Sequence, residues 1–240
     1  MHVFVTGTDT DIGKTLITAG LAAVMQSLGY KAGVYKPFQS GAEEKNGFLV
    51  SPDLAFVKKL DFYVETLCTY LLKAPTAPYT AAELDGVQIN LSAVSREFQT
   101  LKQNCETVLV EGAGGLLVPV TKNKTMCDVA KMLDIPVLIV ARPDLGTINH
   151  TLLTINQAKE AGLDIAGVVI NRYPSGTDDI AIRTAPGLIE EFSGVNILGV
   201  VPDITDLNPA KPGEIINIMI NSIDIESIFR IKIPKLNLSL

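Results

Sequence analysis

A Gly-Lys-Thr triplet at residues 13–15 is the strongest chemical signal near the start of the chain. It follows a β-branched apolar run and precedes an Ala- and Leu-rich segment, so it joins a predicted strand to a predicted helix. In that position Gly13 lets the backbone approach a phosphate, Lys14 supplies a mobile cation, and the Thr15 hydroxyl can bind Mg²⁺. The triplet therefore predicts a nucleotide-binding loop rather than a plain turn.

The residues before this triplet depart from the usual spacing of a phosphate-binding loop. The usual pattern G-x-x-x-x-G-K-[ST] has a glycine five positions before the second glycine. This chain has Thr8 at that position and places its glycine one residue earlier, at Gly7. Two acids, Asp9 and Asp11, also fall within the loop. Their side chains either face away from the phosphates or face a second, cationic ligand, and the residues alone leave both interpretations open.

The order of apolar segments predicts the element that must position this loop. Several β-branched runs lack alternation, which is typical of strands covered on both faces in a parallel sheet. Helix-compatible segments lie between them, so the chain is predicted to be an α/β protein with a mostly parallel central sheet, right-handed crossovers and helices on both faces. The predicted strands are 2–6, 32–36, 107–111, 136–141, 165–171 and 196–201, and the clearest helices are 14–28, 91–104 and 148–161.

Polar residues follow the predicted strands, at the sheet edge where such folds bind ligands. Glu111 is placed as a metal-binding acid or as a solvated strand end, and Asp53 as a second ligand or an acid that suits a helix dipole. Lys36 would lie one strand from the phosphates, where its charge can stabilise a transition state. Ser40 could donate to an anion, and Asn171 either forms a turn or reads the edge of a base.

Composition limits the classes of function that remain. The 240 residues are 47% hydrophobic and 19% charged, which is typical of a globular chain with one substantial core, and one domain is expected. The net charge of −6 argues against a large nucleic-acid or anionic-membrane surface. The start of the chain lacks the pattern of a signal peptide, and the three scattered cysteines fit buried reduced thiols, so a cytoplasmic location is expected. The two histidines have no pattern for acyl-transfer catalysis.

The least regular regions carry weaker predictions. Residues 40–53 are predicted to be mainly a loop, with Asp53 at the start of a helix, and residues 74–86 a loop leading to a turn. The Ile- and Leu-rich C-terminal region is predicted to form a helix from about 213, followed by an extended tail over about 222–240 that packs or self-associates.

The chain resembles the dethiobiotin synthetase family, ATP-dependent enzymes of biotin biosynthesis with a single-domain P-loop NTPase-like fold. The resemblance extends along nearly the whole chain and includes the displaced glycine of the loop. It is carried by "VTGTDTDIGKT", "YKPFQSG", "APTAP", "AAELDG", "VLVEGAGGLLVP", "DLGTINHTLLT", "GVVIN" and "GVVPDI".

The resemblance implies a reaction and its co-substrates. The expected reaction closes the cyclic urea of dethiobiotin from 7,8-diaminopelargonic acid and CO₂, with ATP and Mg²⁺, through phosphorylation of a carbamate. It implies that Lys36 and Lys14 are catalytic, with Thr10 nearby. It also implies that Ser40 contacts the diamine and that the metal ligands are Thr15, Asp53 and Glu111.

The resemblance also assigns the nucleotide site and a dimer. The helix that begins near Gly146 is expected to lie at a homodimer interface, where Gly146, Ile148 and Asn149 bind the partner's substrate carboxylate. The implied ATP-binding residues are Asp11, Ile12, Gly13, Lys14, Thr15, Leu16, Asp53, Glu111, Gly112, Ala113, Gly114, Asn171, Arg172, Pro202, Asp203 and Ile204.

This chain departs from the family at three places. Tyr79 stands where the family often has histidine, which leaves one edge of the substrate pocket unassigned. The residues after Pro202 lack a glutamate near the ribose, and whether Asp206 replaces it is left open. The Ile- and Leu-rich tail is longer than usual.

Two other classes of protein share such a loop. An ATP-driven partitioning switch would carry a second lysine early in the loop, where this chain has Thr8, Asp9 and Thr10. An ATP-dependent amidase of the corrinoid-pathway type would need a further domain with a nucleophilic cysteine on a glycine-flanked turn. The sequence favours the ligase over both.

Overall fold

The computed structural model describes residues 1–204 and 211–233, in which strands and helices alternate along most of the chain. The strands are β1 (His2–Gly7), β2 (Ala32–Ser40), β3 (Glu43–Lys45), β4 (Phe48–Val50), β5 (Glu65–Leu72), β6 (Thr107–Gly115), β7 (Pro119–Thr121), β8 (Lys124–Thr125), β9 (Val137–Ala141), β10 (Ile165–Tyr173) and β11 (Ile197–Pro202). The helices are α1 (Lys14–Ser27), α2 (Pro52–Leu60), α3 (Pro78–Asp85), α4 (Leu91–Asn104), α5 (Met126–Leu133), α6 (Thr147–Glu160), α7 (Ile180–Ser193), α8 (Pro212–Ser222) and α9 (Ile225–Phe229).

Seven strands form one parallel sheet in the order β11-β10-β9-β1-β6-β2-β5. Strand β1 lies at the centre, so the loop that follows it opens in the middle of the carboxyl edge. Side chains alternate across the sheet: Val3 and Val5 face one core, and Phe4 faces the other. Helices α1, α2, α8 and α9 cover the first face, and α4, α5, α6 and α7 cover the second. The predicted α/β class is confirmed.

The predicted strands and helices are present, with ends that differ by a few residues. The structure adds β5 at the sheet edge, which the sequence did not predict. Its side chains are mostly half-buried, because an edge strand has only one neighbour, here β2. None of the helices that the structure describes is long and apolar enough to cross a membrane.

Two predictions for the irregular regions were wrong. The predicted loop before Asp53 contains the β3–β4 hairpin, which turns at Asn46 and Gly47, both with positive φ. Asn-Gly is a strong signal for such a turn. The second predicted loop contains helix α3, which begins at Pro78 and ends before Gly86 in the left-handed conformation.

The C-terminal region is helical over more of its length than predicted. Helix α8 confirms the predicted helix, but residues 225–229 form α9 where an extended tail was expected. Ile225, Ile228 and Phe229 are buried in the first core, where α9 contacts β1 and β10, so burial of their apolar side chains favours the short helix. Asp206 and residues 234–240 lie outside the described residues.

Candidate active site

The position of Gly7 explains the displaced glycine of the loop. A Cβ atom at residue 7 would lie 2.8 Å from the Asp9 carbonyl oxygen and 2.6 Å from Cδ1 of Ile12. Any side chain would therefore push the loop away from the end of β1. The loop requires its glycine at position 7, and position 8 tolerates Thr8.

The loop is attached to β10 through Asn171. The Nδ2 group of Asn171 donates to the carbonyl oxygen of Ile12 at 2.8 Å. Gly13 follows with a φ of 87°, and a Cβ there would lie 2.1 Å from the same nitrogen. Asn171 is fully buried, and its Oδ1 has no partner among the described residues. The amide therefore fixes the loop through its donor.

Lys14 lies across the loop at the start of α1. Its Nζ donates to the carbonyl oxygen of Asp9 at 3.0 Å, and the residue is buried. Burial lowers the pKa of Lys14, although the nearby Glu111 carboxylate opposes that shift. The Asp9 carboxylate accepts from the Thr10 N–H and lies 4.0 Å from the Arg142 guanidinium. Asp9 therefore faces the chain's own donors.

Lys36, in the middle of β2, is held between two carboxylates. Its Nζ lies 2.7 Å from Oδ2 of Asp53 and 2.7 Å from Oε1 of Glu111. Burial would lower the pKa of the Lys36 ammonium, but the charges of Glu111 and Asp53 raise it above its ordinary value. Lys36 is therefore a permanent cation, suited to neutralising charge and unsuited to acting as a base.

The oxygens around Glu111 fit a hard divalent cation. Thr15 donates its hydroxyl hydrogen to Oε1 of Glu111 at 2.9 Å, and Asp53 lies across Lys36 from both. The Oε2 atom of Glu111 is buried and has no partner among the described residues. Mg²⁺ prefers oxygen ligands and keeps several waters, so one hydroxyl and two carboxylates suffice. The predicted ligands Thr15, Asp53 and Glu111 are thus brought together.

A cleft of about 760 Å³ opens above these residues. It brings together most of the predicted site and excludes the start of α6. Its walls include Thr10, Asp11, Gly13, Lys14, Thr15, Leu16, Lys36, Ser40, Asp53, Glu111, Ala113, Gly114 and Arg172. Predicted residues outside these walls are Ile12, Gly112, Asn171, Pro202, Asp203, Ile204, Gly146, Ile148 and Asn149. Gly112 instead packs against Phe4, since a Cβ there would lie 3.1 Å from that ring.

A second cleft of about 440 Å³ adjoins the first, and both include Thr10 and Val118. It runs between the loop and α6, where His150, Leu153 and Thr154 form part of its wall. Leu153, like Leu117 opposite it, is more than half exposed. The two clefts together form a path from Lys36 to the exposed face of α6.

Two polar residues of the site were not predicted. Gln39 and Ser51 are both buried beside the cleft and hydrogen-bond to each other. Ser51 had a signal, because Ser-Pro-Asp is a typical helix start. Gln39 had none, because its partner is twelve residues away and reached only through the fold.

The cysteines take no part in this site. Burial raises the pKa of Cys68 to about 12 and that of Cys105 to about 11, so both remain thiols at neutral pH. Neither is paired in a disulfide.

Comparisons with known proteins identify the family. A family model described as "AAA domain" matches residues 1–211. The chain is 42% identical to the ATP-dependent dethiobiotin synthetase of Bacillus licheniformis, over 87% of this chain and 88% of that relative. It is 34% identical to the enzyme of the same name from Thermodesulfovibrio yellowstonii, over 94% and 97% of the two chains.

Solved structures support the fold alone. The chain superposes on the MinD protein of a MinC:MinD complex from Aquifex aeolicus with a TM-score of 0.62 and 14% identity, covering 97% of both chains. A ParA family ATPase from Chlorobium tepidum gives a TM-score of 0.54 and 16% identity, covering 96% of this chain and 93% of the other. Since the sequence relatives share far more identity over comparable lengths, the chain belongs to the family of ATP-dependent dethiobiotin synthetases.

Proposed function

We propose that the protein closes the ureido ring of dethiobiotin from 7,8-diaminopelargonic acid and CO₂, using ATP and releasing ADP and phosphate. The observation that carries the proposal is the Lys36 ammonium held between Asp53 and Glu111 in the cleft above the Gly-Lys-Thr loop. That arrangement supplies charge for phosphoryl transfer to a second substrate, next to a nucleotide site. The names of the sequence relatives support the same activity.

The chemistry proceeds in three balanced steps. One amine of the diamine attacks CO₂ and loses a proton, giving a carbamate. A carbamate oxygen takes the γ-phosphoryl group of ATP, giving a mixed anhydride and ADP. The second amine attacks the anhydride carbon, closes the urea ring, expels phosphate and loses a proton. No step needs a covalent enzyme intermediate, so positioning and charge are the enzyme's main contributions.

The predicted residues that line the cleft have the following roles in this scheme. The loop N–H groups and Lys14 hold the ATP phosphates, with further nucleotide contacts from predicted residues that line the same cleft: Asp11, Leu16, Ala113, Gly114 and Arg172. Lys36 neutralises the charge of the carbamate and the transferring phosphoryl group, and Thr10 lines the same cleft. Ser40 contacts the diamine, and its buried hydroxyl oxygen lacks a partner among the described residues.

Thr15, Asp53 and Glu111 would hold Mg²⁺ in the working enzyme. When bound, Mg²⁺ draws negative charge from the phosphate oxygens of ATP. The buried, unpartnered Oε2 of Glu111 supports this assignment.

The proposal includes a homodimer in which each subunit completes the other's substrate site. The exposed start of α6, with Gly146, Ile148 and Asn149, would present backbone N–H groups to the substrate carboxylate of the partner. The path from Lys36 to the α6 face supports this arrangement, because a nine-carbon diamino acid is long enough to need a second binding point. The exposed Leu117 and Leu153 would be covered by the dimer.

We further propose that the chain works as one domain in the cytoplasm. The assignment to one domain is supported by the helices, which pack on the two faces of a single sheet. The three free cysteines support the cytoplasmic location, because an oxidising compartment favours disulfides.

A labelling experiment tests the activity. The purified protein is incubated with ATP, Mg²⁺, ¹³C-bicarbonate and the diamine, and the product is analysed by mass spectrometry. The expected product is dethiobiotin with a single heavy carbon in its urea carbonyl, formed only when ATP is present. ADP formation without labelled dethiobiotin would contradict the proposal.

A further inference from the structure

Two buried polar residues join β2 to the start of α2. The Ser51 hydroxyl donates to Oε1 of Gln39 at 2.5 Å and accepts from the Leu54 N–H at 3.1 Å. Gln39 also donates from Nε2 to the carbonyl oxygen of Ser40 at 3.0 Å. Gln39 is 5% exposed and Ser51 is 7% exposed. We call this arrangement the Gln39–Ser51 clasp.

The clasp lies directly before Asp53 in the chain. Ser51 is the N-cap of α2, Pro52 is the first helical residue and Asp53 is the second. Proline fixes its own φ angle, so little freedom remains between the cap and Asp53. Strand β2 therefore holds Asp53 twice: Lys36 binds its carboxylate, and Gln39 fixes its backbone through Ser51.

Helix capping alone does not explain Gln39. Ser51 satisfies the Leu54 N–H without help, which is the whole requirement of an N-cap. An apolar side chain at position 39 would be buried without the desolvation cost of an amide. What Gln39 adds is a fixed direction for the Ser51 hydroxyl and a fixed distance between β2 and α2.

We propose that Gln39 and Ser51 are positioning residues that aim the Asp53 carboxylate at the divalent cation. This inference rests on the proposed role of Asp53 as a metal ligand. Hydrogen-bond partners behind metal ligands commonly change metal affinity about 10- to 100-fold. Without the clasp, the first turn of α2 can shift, and Lys36 alone then holds the Asp53 carboxylate in place.

Metal affinity, measured separately from turnover, tests the proposal. Mn²⁺ binding is followed by electron paramagnetic resonance in the presence of a non-hydrolysable ATP analogue. We expect Gln39→Leu to weaken Mn²⁺ binding about tenfold. We expect Gln39→Leu combined with Asp53→Asn to bind Mn²⁺ as weakly as Asp53→Asn alone, because the clasp acts through Asp53.

Three further variants separate positioning from general stability. Ser51→Ala breaks the same clasp from the other side, and supplies the measurement if Gln39→Leu does not fold. Ser51→Thr keeps the hydroxyl and should restore Mn²⁺ affinity. Asn90 is the N-cap of α4, and its side chain accepts from the Ser92 N–H at 2.9 Å. Asn90→Ala removes this cap, which is remote from Asp53 in the chain, and should leave Mn²⁺ affinity unchanged.

The possible results are distinguishable. Unchanged Mn²⁺ affinity in folded Gln39→Leu or Ser51→Ala would overturn the positioning role while leaving the proposed function intact. Additive losses in the double variant would overturn it too, since the clasp would then act by another route. Full Mn²⁺ affinity in Asp53→Asn would instead overturn the metal assignment of Asp53, and the positioning role with it.

Discussion

Lys36 occupies the place between two carboxylates that a divalent cation would also favour. Its ammonium and the Thr15 hydroxyl share Oε1 of Glu111, while Oε2 of that residue stays free of described partners. Without a cation, the buried Glu111 carboxylate beside the partly exposed Asp53 carboxylate would be costly, because like charges repel more strongly where water is partly excluded. Lys36 therefore stabilises the two carboxylates of the site, and in the proposed reaction it also supplies charge.

Replacing Lys36 should separate binding from turnover. We expect Lys36→Gln to lower kcat about 10²- to 10³-fold, because an aligned charge near the transferring phosphoryl group is lost. ATP affinity, measured by calorimetry, should change little, since the loop and Lys14 remain. Near-normal turnover would contradict the role assigned to Lys36.

Glu111 should govern the metal requirement. In Glu111→Ala the one carboxylate that β6 carries is lost, so the Mg²⁺ concentration for half-maximal activity should rise at least about tenfold. The measurement is a Mg²⁺ titration of ADP release at fixed ATP. An unchanged titration curve would show that the metal binds elsewhere.

At the scale of elements, the junction between β1 and α4 partly buries a titratable residue, His2. His2 begins β1 and packs edge-on against Phe98 of α4, with ring centroids 6.0 Å apart. Partial burial, helped by the positive charges of the N-terminus and Lys102, lowers the pKa of His2 to about 4. The neutral ring thus fits this junction better than the charged one.

This shift predicts a loss of stability in mild acid. The pKa of His2 in the folded state lies below the ordinary value of 6.5, so above about pH 6.5 the residue is neutral in both states and the folded state keeps its full stability. As pH falls from 6.5 towards 4, the unfolded state binds the proton first, and the free energy of unfolding decreases. After allowance for its partial exposure, we expect a loss of about 1 kcal/mol, or roughly 2–4 °C in Tm. Melting curves of the wild type and His2→Gln between pH 7 and 4 test this: the variant should lose less, and parallel curves would refute it.

The elements differ in how far the sequence predicts them. Strand β1 is a buried run followed by the Gly-Lys-Thr loop, and β6 is a buried run that ends in Glu-Gly-Ala-Gly-Gly, so pattern and chemistry agree. Strand β5 has neither a continuous apolar core pattern nor a marked ending, and its pairing with β2 is set by the sheet. The helix α3 was obscured by two nearby prolines, although Pro78 and Gly86 mark its ends.

The site also contains residues that the sequence predicts and residues that it does not. Five site residues could be predicted because each ends a predicted strand or lies at the start of a helix: Lys14, Thr15, Lys36, Asp53 and Glu111. The Gln39–Ser51 clasp could not, because a polar residue near a strand end carries no signal of its partner. Asn171 was predicted either to form a turn or to read a base edge, whereas its hydrogen bond to Ile12 depends on how the loop packs against β10.

At the scale of the whole molecule, the α6 face limits what one chain can do alone. The first cleft holds the reacting groups, whereas Gly146, Ile148 and Asn149 lie outside its walls. The wall of this cleft in one subunit therefore does not include the start of α6. The proposed dimer brings the same residues of a second chain to the far end of the substrate.

A charge at the start of α6 should therefore affect only substrate binding. Asn149→Asp would place a carboxylate near the substrate carboxylate, so KM for the diamine should rise about tenfold while KM for ATP stays constant. Asn156→Asp, also exposed on α6 but farther from its start, is the matched control and should leave both values unchanged. A flat KM for the diamine in Asn149→Asp would contradict the shared site.

The most direct test of the central claim is ADP release by the purified protein with ATP, Mg²⁺ and bicarbonate, with and without 7,8-diaminopelargonic acid. The proposed function predicts that ADP release depends on the diamine and that ADP and dethiobiotin form in equal amounts. Steady ADP release that is indifferent to the diamine would contradict the account and favour an ATP-driven switch.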